Sequence, residues 1–179
     1  KYGLSDNWNV IAYIPFFVKS YQNHQVSSVT NETILEGEEH SSFGDMDLGV
    51  EYRLFKKSKY AFSATLTLGL PSGDSKGGSD GSYQTGDGEF NQELRFNAGT
   101  SFSLFKQSLY GKGYLGLNNK TENFSDEIRA GLETGTSFVG RKLLLLIRST
   151  IVKSFKNGSL NASNSSGSIF ANNVEFISV

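Results

Sequence analysis

With 179 residues the chain has the length of a single domain, and no shift in composition marks a linker. The lack of cysteine excludes disulfide staples, thiol catalysis and thiolate zinc sites, and a net charge of −1 gives no electrostatic case for nucleic acid. Twenty glycines against two prolines, aromatics at 13% and no apolar run near the roughly 20 residues of a membrane helix point to an all-β chain.

Trp8, Val10, Ala12, Ile14, Phe16 and Val18 are apolar at alternate positions, which predicts a first strand running to Lys19. Residues 20–41, carrying Gln22, Asn23, His24, Asn31, Glu36, Glu38, Glu39 and His40, have little period and are expected to form a long exposed loop. The run Asp45 to Phe55 alternates apolar with charged or glycine residues and reads as a strand with two unlike faces. A basic turn at Lys56-Lys57-Ser58-Lys59 leads into Tyr60, Phe62, Ala64, Leu66, Leu68 and Leu70, which set one face of the next strand against Ser63, Thr65, Thr67 and Gly69.

Residues 71–89 form a glycine-aspartate loop. Beyond it, Phe90, Leu94, Phe96, Ala98, Thr100 and Phe102 alternate with Asn91, Glu93, Arg95, Asn97 and Gly99, and Phe105-Lys106-Gln107-Ser108 supplies a short turn. A fifth strand sets Leu109, Leu115 and Leu117 against Tyr110, Lys112, Tyr114 and Asn118. After a loop at 118–126, Ile128 to Phe138 alternates with Arg129, Gly131 and Glu133, and a turn at Gly140-Arg141 follows. Leu143 to Ile151 is apolar on both faces at its start and is read as a seventh strand; Lys156 to Ser168 is a last loop and Ile169 to Val179 a last strand.

Period-2 runs joined alternately by short turns and long polar loops are the wiring of an antiparallel up-and-down transmembrane β-barrel, whose apolar face meets lipid and whose polar face lines a lumen. About eight strands are expected in this chain and about eight to twelve in a closed barrel, since an open edge in lipid leaves backbone groups unpaired. The expected location is the outer membrane of a Gram-negative cell, with membrane lipid as partner. No signal peptide stands at Lys1-Tyr2-Gly3-Leu4, although a secreted barrel requires one; the expectation is a processed chain whose barrel continues past one or both ends. A soluble β-sandwich, with its apolar faces against each other, is the alternative.

The string Phe43-Gly44-Asp45-Met46-Asp47-Leu48-Gly49-Val50-Glu51-Tyr52-Arg53-Leu54, with Leu70-Pro71-Ser72-Gly73-Asp74 and Thr85-Gly86-Asp87-Gly88-Glu89, resembles a bacterial outer-membrane barrel family named for the MetA pathway of phenol degradation. Tyr2 to Trp8 also looks like a periplasmic turn of such barrels, and the resemblance runs from about Tyr2 to Gly158. It implies a barrel in the outer membrane and uptake of aromatic or other small hydrophobic compounds, with no catalytic residue to carry over.

Glu51, Arg53, Glu93, Arg95, Arg129, Glu133 and Arg148 fall on the polar face of their strands. They are read either as a salt-bridged plug or as a charged constriction that selects solutes. Asp74, Asp80 and Asp87 share one glycine-rich loop and are weak candidates for a metal site, since their spacing departs from that of known calcium loops. The glycines there lack the Gly-Lys-Ser/Thr of a phosphate loop, no Gly-x-Ser-x-Gly elbow occurs, and both histidines, His24 and His40, fall in a loop; no catalytic residue and no cofactor are expected. Trp8, Tyr2, Tyr52, Tyr60, Phe102 and Phe105 cluster near the short-turn ends, as an aromatic girdle would. Passive passage of small solutes is the first functional expectation, and a non-conducting barrel recognised by another envelope protein is the second.

Overall fold

The computed structural model describes residues 1–79, 81–104, 107–138, 142–159, 173 and 175–179. Regular structure among them is all β: β1 (Tyr2–Gly3), β2 (Trp8–Tyr13), β3 (Val18–Gln22), β4 (Gln25–Val26), β5 (Thr33–Leu35), β6 (Glu38–Ser42), β7 (Met46–Lys57), β8 (Tyr60–Leu70), β9 (Asn91–Leu104), β10 (Gln107–Lys120), β11 (Glu127–Phe138), β12 (Leu143–Ser154) and β13 (Phe176–Ser178). Nine of these form one antiparallel sheet in the order β1-β2-β7-β8-β9-β10-β11-β12-β13. Every long neighbour is the next long strand in the chain, an up-and-down meander. β1 and β13 stand at its two ends, and no pairing among the described residues joins them.

Turns at one end are short, as at Ser58-Lys59, where Ser58 takes a left-handed φ of 51°. At the other end the connections span 14–45, 71–90 and 121–126, and β12 ends there at Ser154. The first strand and the first loop depart from the sequence reading. β2 stops at Tyr13 because Pro15 has no N–H to donate to a ladder; its carbonyl instead accepts from the Gly44 N–H at 3.0 Å. Residues 20–41 are no unstructured loop: β3 pairs with β6 and β4 with β5 in two-stranded ribbons. Their alternation is between polar residues, as in Ser20 opposite His40 and Tyr21 opposite Glu39, so hydrophobic period could not reveal it. The expected turns at 105–108 and 140–141, the loop at 156–168 and the start of the last strand lie partly or wholly outside the described residues.

Burial on the sheet is inverted relative to a water-soluble fold. Among the described residues the buried set holds one hydrophobic side chain, Val152, and nine polar or charged ones: Thr65, Thr85, Glu89, Glu93, Asn118, Ser125, Glu127, Glu133 and Ser154. Leu66, Leu94, Leu115, Leu132 and Ile147 are all exposed, Leu132 to 71%. The core therefore lies on the polar face, where glycines in one strand admit large side chains from the next. Tyr114 lies opposite Gly131 and Tyr110 opposite Gly135, each ring occupying the space a β-carbon would fill.

Candidate functional site

The polar face carries two ionic clusters. In the first, Arg95 binds Glu93 within β9, with Nε and Nη2 at 2.7 and 2.6 Å from Oε1. The other oxygen of Glu93 accepts from Arg129 Nη1 of β11 at 3.2 Å, and Arg129 Nη2 donates to Glu127 at 2.7 Å. Glu127 in turn stands 3.5 Å from Lys120 Nζ of β10, which faces Glu89 at 3.5 Å and Asp87 at 3.9 Å. Alternating charges thus run without a break from mid-strand to the second long loop. Asn118, buried in the same cross-strand row as Glu93 and Glu127, has no hydrogen-bond partner on either side-chain atom among the described residues.

The second cluster centres on Glu133 of β11. Its carboxylate accepts from Tyr110 Oη at 2.8 Å, from Arg148 Nε at 2.8 Å and Nη2 at 2.6 Å, and pairs with Lys112 Nζ at 2.9 Å. Glu51 is held apart from both clusters by Lys1 at 2.6 Å and the Asn9 amide at 3.0 Å. Arg53 makes no ion pair among the described residues and borders a small cavity shared with Glu51, Asn97 and Lys112. A larger cavity of about 500 Å³ is lined by Lys1, Glu51, Arg95, Asn97, Lys112, Gly113, Tyr114, Glu133, Arg148 and Thr150.

All seven charged residues expected on the polar face are there, but they form separate groups rather than one ring. Lys112, Lys120, Glu127 and Tyr110 complete the groups; the sequence placed Tyr110 and Lys112 on the polar side of the fifth strand but counted none of the four among the lumen candidates. Lys112 and Lys120 share the register face of Arg95, and Glu127 that of Arg129, but the hydrophobic period carried the expected strands only to Asn118 and from Ile128.

At the long-loop end the Gly-Asp motifs interlock. Asp45, just ahead of β7, accepts the Gly73 N–H on one oxygen and the Asp87 N–H on the other, both at 2.8 Å. Ser72 receives the Met46 N–H at 3.0 Å and donates to the Gly44 carbonyl at 2.9 Å. A β-carbon on Gly86 would overlap the Asp45 carboxylate, so glycine is required by space. The ribbon β3·β6 leans on the same loop: Glu38 accepts the Ser79 N–H and O–H, each at 2.6 Å, and His40 Nε2 stands 3.0 Å from Asp74 Oδ2.

These loop carboxyls, outside the strands, are electrostatically distinct. Burial pushes Asp87 up to about 7, opposed by the hydrogen bond it accepts from the Glu89 N–H and by the Lys120 ammonium. Glu89 is also raised, again by burial first. Asp126 is lowered, because it accepts the Lys120 N–H and the Asn157 amide. Of the weak metal candidates, Asp74 is turned to His40 and Asp87 to Lys120, while Asp80 lies outside the described residues. No group of three or more His, Cys, Asp or Glu is arranged to hold a metal ion among the described residues.

Near the short turns the Trp8 and Tyr52 rings, on the apolar face, meet at 4.7 Å, and Phe55 meets Phe62 at 6.0 Å. Tyr2, Tyr60 and Phe102 are exposed, and Phe105 lies outside the described residues. Comparison with family models, curated proteins and solved structures gives no match, so the functional reading rests on this geometry.

Proposed function

We propose that the chain forms the wall of an outer-membrane β-barrel of Gram-negative type that lets small solutes, aromatic or hydrophobic ones among them, pass through a charged lumen. The inverted burial carries this reading: a sheet that buries carboxylates and exposes rows of leucine fits a lipid surround, because each exposed leucine side chain would cost about 2 kcal/mol against water. Curvature supports it. Glu51 of β7 and Arg148 of β12 line one cavity, whereas five inter-strand steps in a flat sheet would separate them by about 24 Å. The alternation of short and long connections agrees with a periplasmic and an outer side. The likeness to the phenol-degradation barrels belongs to the same proposal.

A second reading has its own observation. The unbroken chain Arg95–Glu93–Arg129–Glu127–Lys120 packs side chains across β9, β10 and β11, which favours a filled barrel that serves as an accessory subunit of an envelope assembly. Single-channel recording in planar bilayers, with Arg95→Ala and Arg129→Ala beside the parent, separates the two. Reproducible conductance steps altered by either change support the conduit; a folded but silent barrel supports the filled subunit.

A further inference from the structure

We infer that the cavity between Glu51 and Arg148 is a binding site for small organic anions, carboxylates first; the inference rests on the barrel reading, which makes this cavity part of the lumen. Its wall carries four cations, Lys1, Arg95, Lys112 and Arg148, against two carboxylates, Glu51 and Glu133. The signs are also layered by depth. The Glu133 side chain is 6% exposed and its oxygens are taken up by Tyr110, Lys112 and Arg148. Above it, Lys112 and Arg148 are 56% and 63% exposed. A Lys ammonium has three donors and an Arg guanidinium five, so both keep N–H groups free to face the cavity after binding Glu133.

Rigidity adds to charge. The Arg95 guanidinium lies 4.2 Å over the Tyr114 ring, and that ring lies against Gly131, so the cation is held on a fixed plane while its Nε and Nη2 stay on Glu93. Arg53, without an ion pair among the described residues, borders the adjoining small cavity together with Lys112 and extends the basic surface. Glu93 offsets Arg95, which it binds through Oε1, but Asp87, Glu89 and Glu127 sit toward the long loops, recessed and engaged with Lys120 and Arg129, and none of them lines the cavity. A carboxylate entering the cavity meets exposed donors, whereas an ammonium meets four cations, a Glu133 carboxylate already saturated and a Glu51 whose Oε1 is held by Lys1 and Asn9.

The test uses the full-length protein, with butyrate and butylammonium as probes of equal size and opposite charge. Conductance in a potassium chloride gradient is expected to be chloride-selective, and Lys112→Gln with Arg148→Gln to reduce that selectivity about threefold or more, as expected when two exposed charges are removed. Cation selectivity, or selectivity unchanged in the double variant, would overturn the anion site while leaving the conduit standing. If the protein is silent, the conduit reading fails and binding decides the anion site. Saturation-transfer NMR of the protein in micelles should then show butyrate and not butylammonium contacting the parent; equal binding of the two, or none, overturns the site. That last comparison needs no variant and so does not depend on how well the double variant folds.

Discussion

Arg129 of β11 reaches diagonally to Glu93 of β9 at 3.2 Å, over the intervening strand β10, where the residue opposite Arg129 is Gly116 and puts no side chain in the way. A β-carbon there would come within 2.7 Å of Glu93 Oε1. The charge chain of the polar face thus depends on a side chain that is missing. Arg129→Ala leaves Glu93 and Glu127, both recessed, short of their shared cation. The expected loss is about 3 kcal/mol in unfolding free energy, measured by denaturant titration in lipid vesicles. Arg148→Ala, by contrast, removes an exposed partner from a carboxylate that keeps Tyr110 and Lys112, and should cost about 1 kcal/mol or less.

The apolar face gives a sharper contrast. Leu115 lies mid-strand in β10 and is 54% exposed. If that face meets lipid, Leu115→Arg destabilises the vesicle-embedded protein by about 2–4 kcal/mol. In a water-facing strand the same change would fall within about 0.5 kcal/mol. Equilibrium unfolding of parent and variant from vesicles distinguishes the two values.

Asp45 fastens the second long loop through two backbone N–H groups. Asp45→Ala leaves both donors unpaired, at about 1–3 kcal/mol each where water cannot replace the oxygen. Limited proteolysis is expected to show cutting within residues 71–89 at least tenfold faster than in the parent, a factor equal to about 1.4 kcal/mol of loop opening, while cutting elsewhere is unchanged.

Docking of that loop should also follow pH. The Asp87 carboxyl is raised in the folded state from 3.8 to about 7, chiefly by burial, so its contribution to stability is complete below the unfolded value and is lost as pH rises through about 7. Amide exchange at Gly73 and Asp87, corrected for the intrinsic base-catalysed rate, is expected to show a looser loop at pH 8 than at pH 5.5. Asp87→Asn should flatten the profile, since its amide oxygen still accepts the Glu89 N–H that Asp87 binds at 3.2 Å.

Much of the sheet was legible in the sequence, and the reasons are local. In β7 to β11 the alternation of Leu48, Val50 and Tyr52 with Gly49, Glu51 and Arg53, and its later repeats, sets strand, face and register at once. The ribbon β3·β6 was not legible because, past Val18, the residues Lys19 to Gln22 and Glu38 to Ser42 are polar on both faces and show no hydrophobic period. Asp45 read as the first strand residue, since nothing in its neighbours shows that its carboxylate turns to Gly73 and Asp87, far along the chain. Lys120 lies where strand gives way to loop, and only the folded register brings Glu89 and Glu127 to it. Grouping of the seven charged residues into separate clusters depends on cross-strand neighbours such as Gly116, which composition cannot supply.

Trp8 is the sole tryptophan and lies on the apolar face beside Tyr52 near the short-turn end, which makes it a native depth gauge. Its fluorescence in vesicles of lipids brominated at defined acyl positions reports whether the apolar face meets lipid. Strong quenching by bromines just below the headgroups, weaker quenching by those near the bilayer centre, and protection from aqueous acrylamide are expected of a lipid-facing Trp8. Full acrylamide quenching with no response to any brominated lipid would contradict a lipid-facing apolar wall.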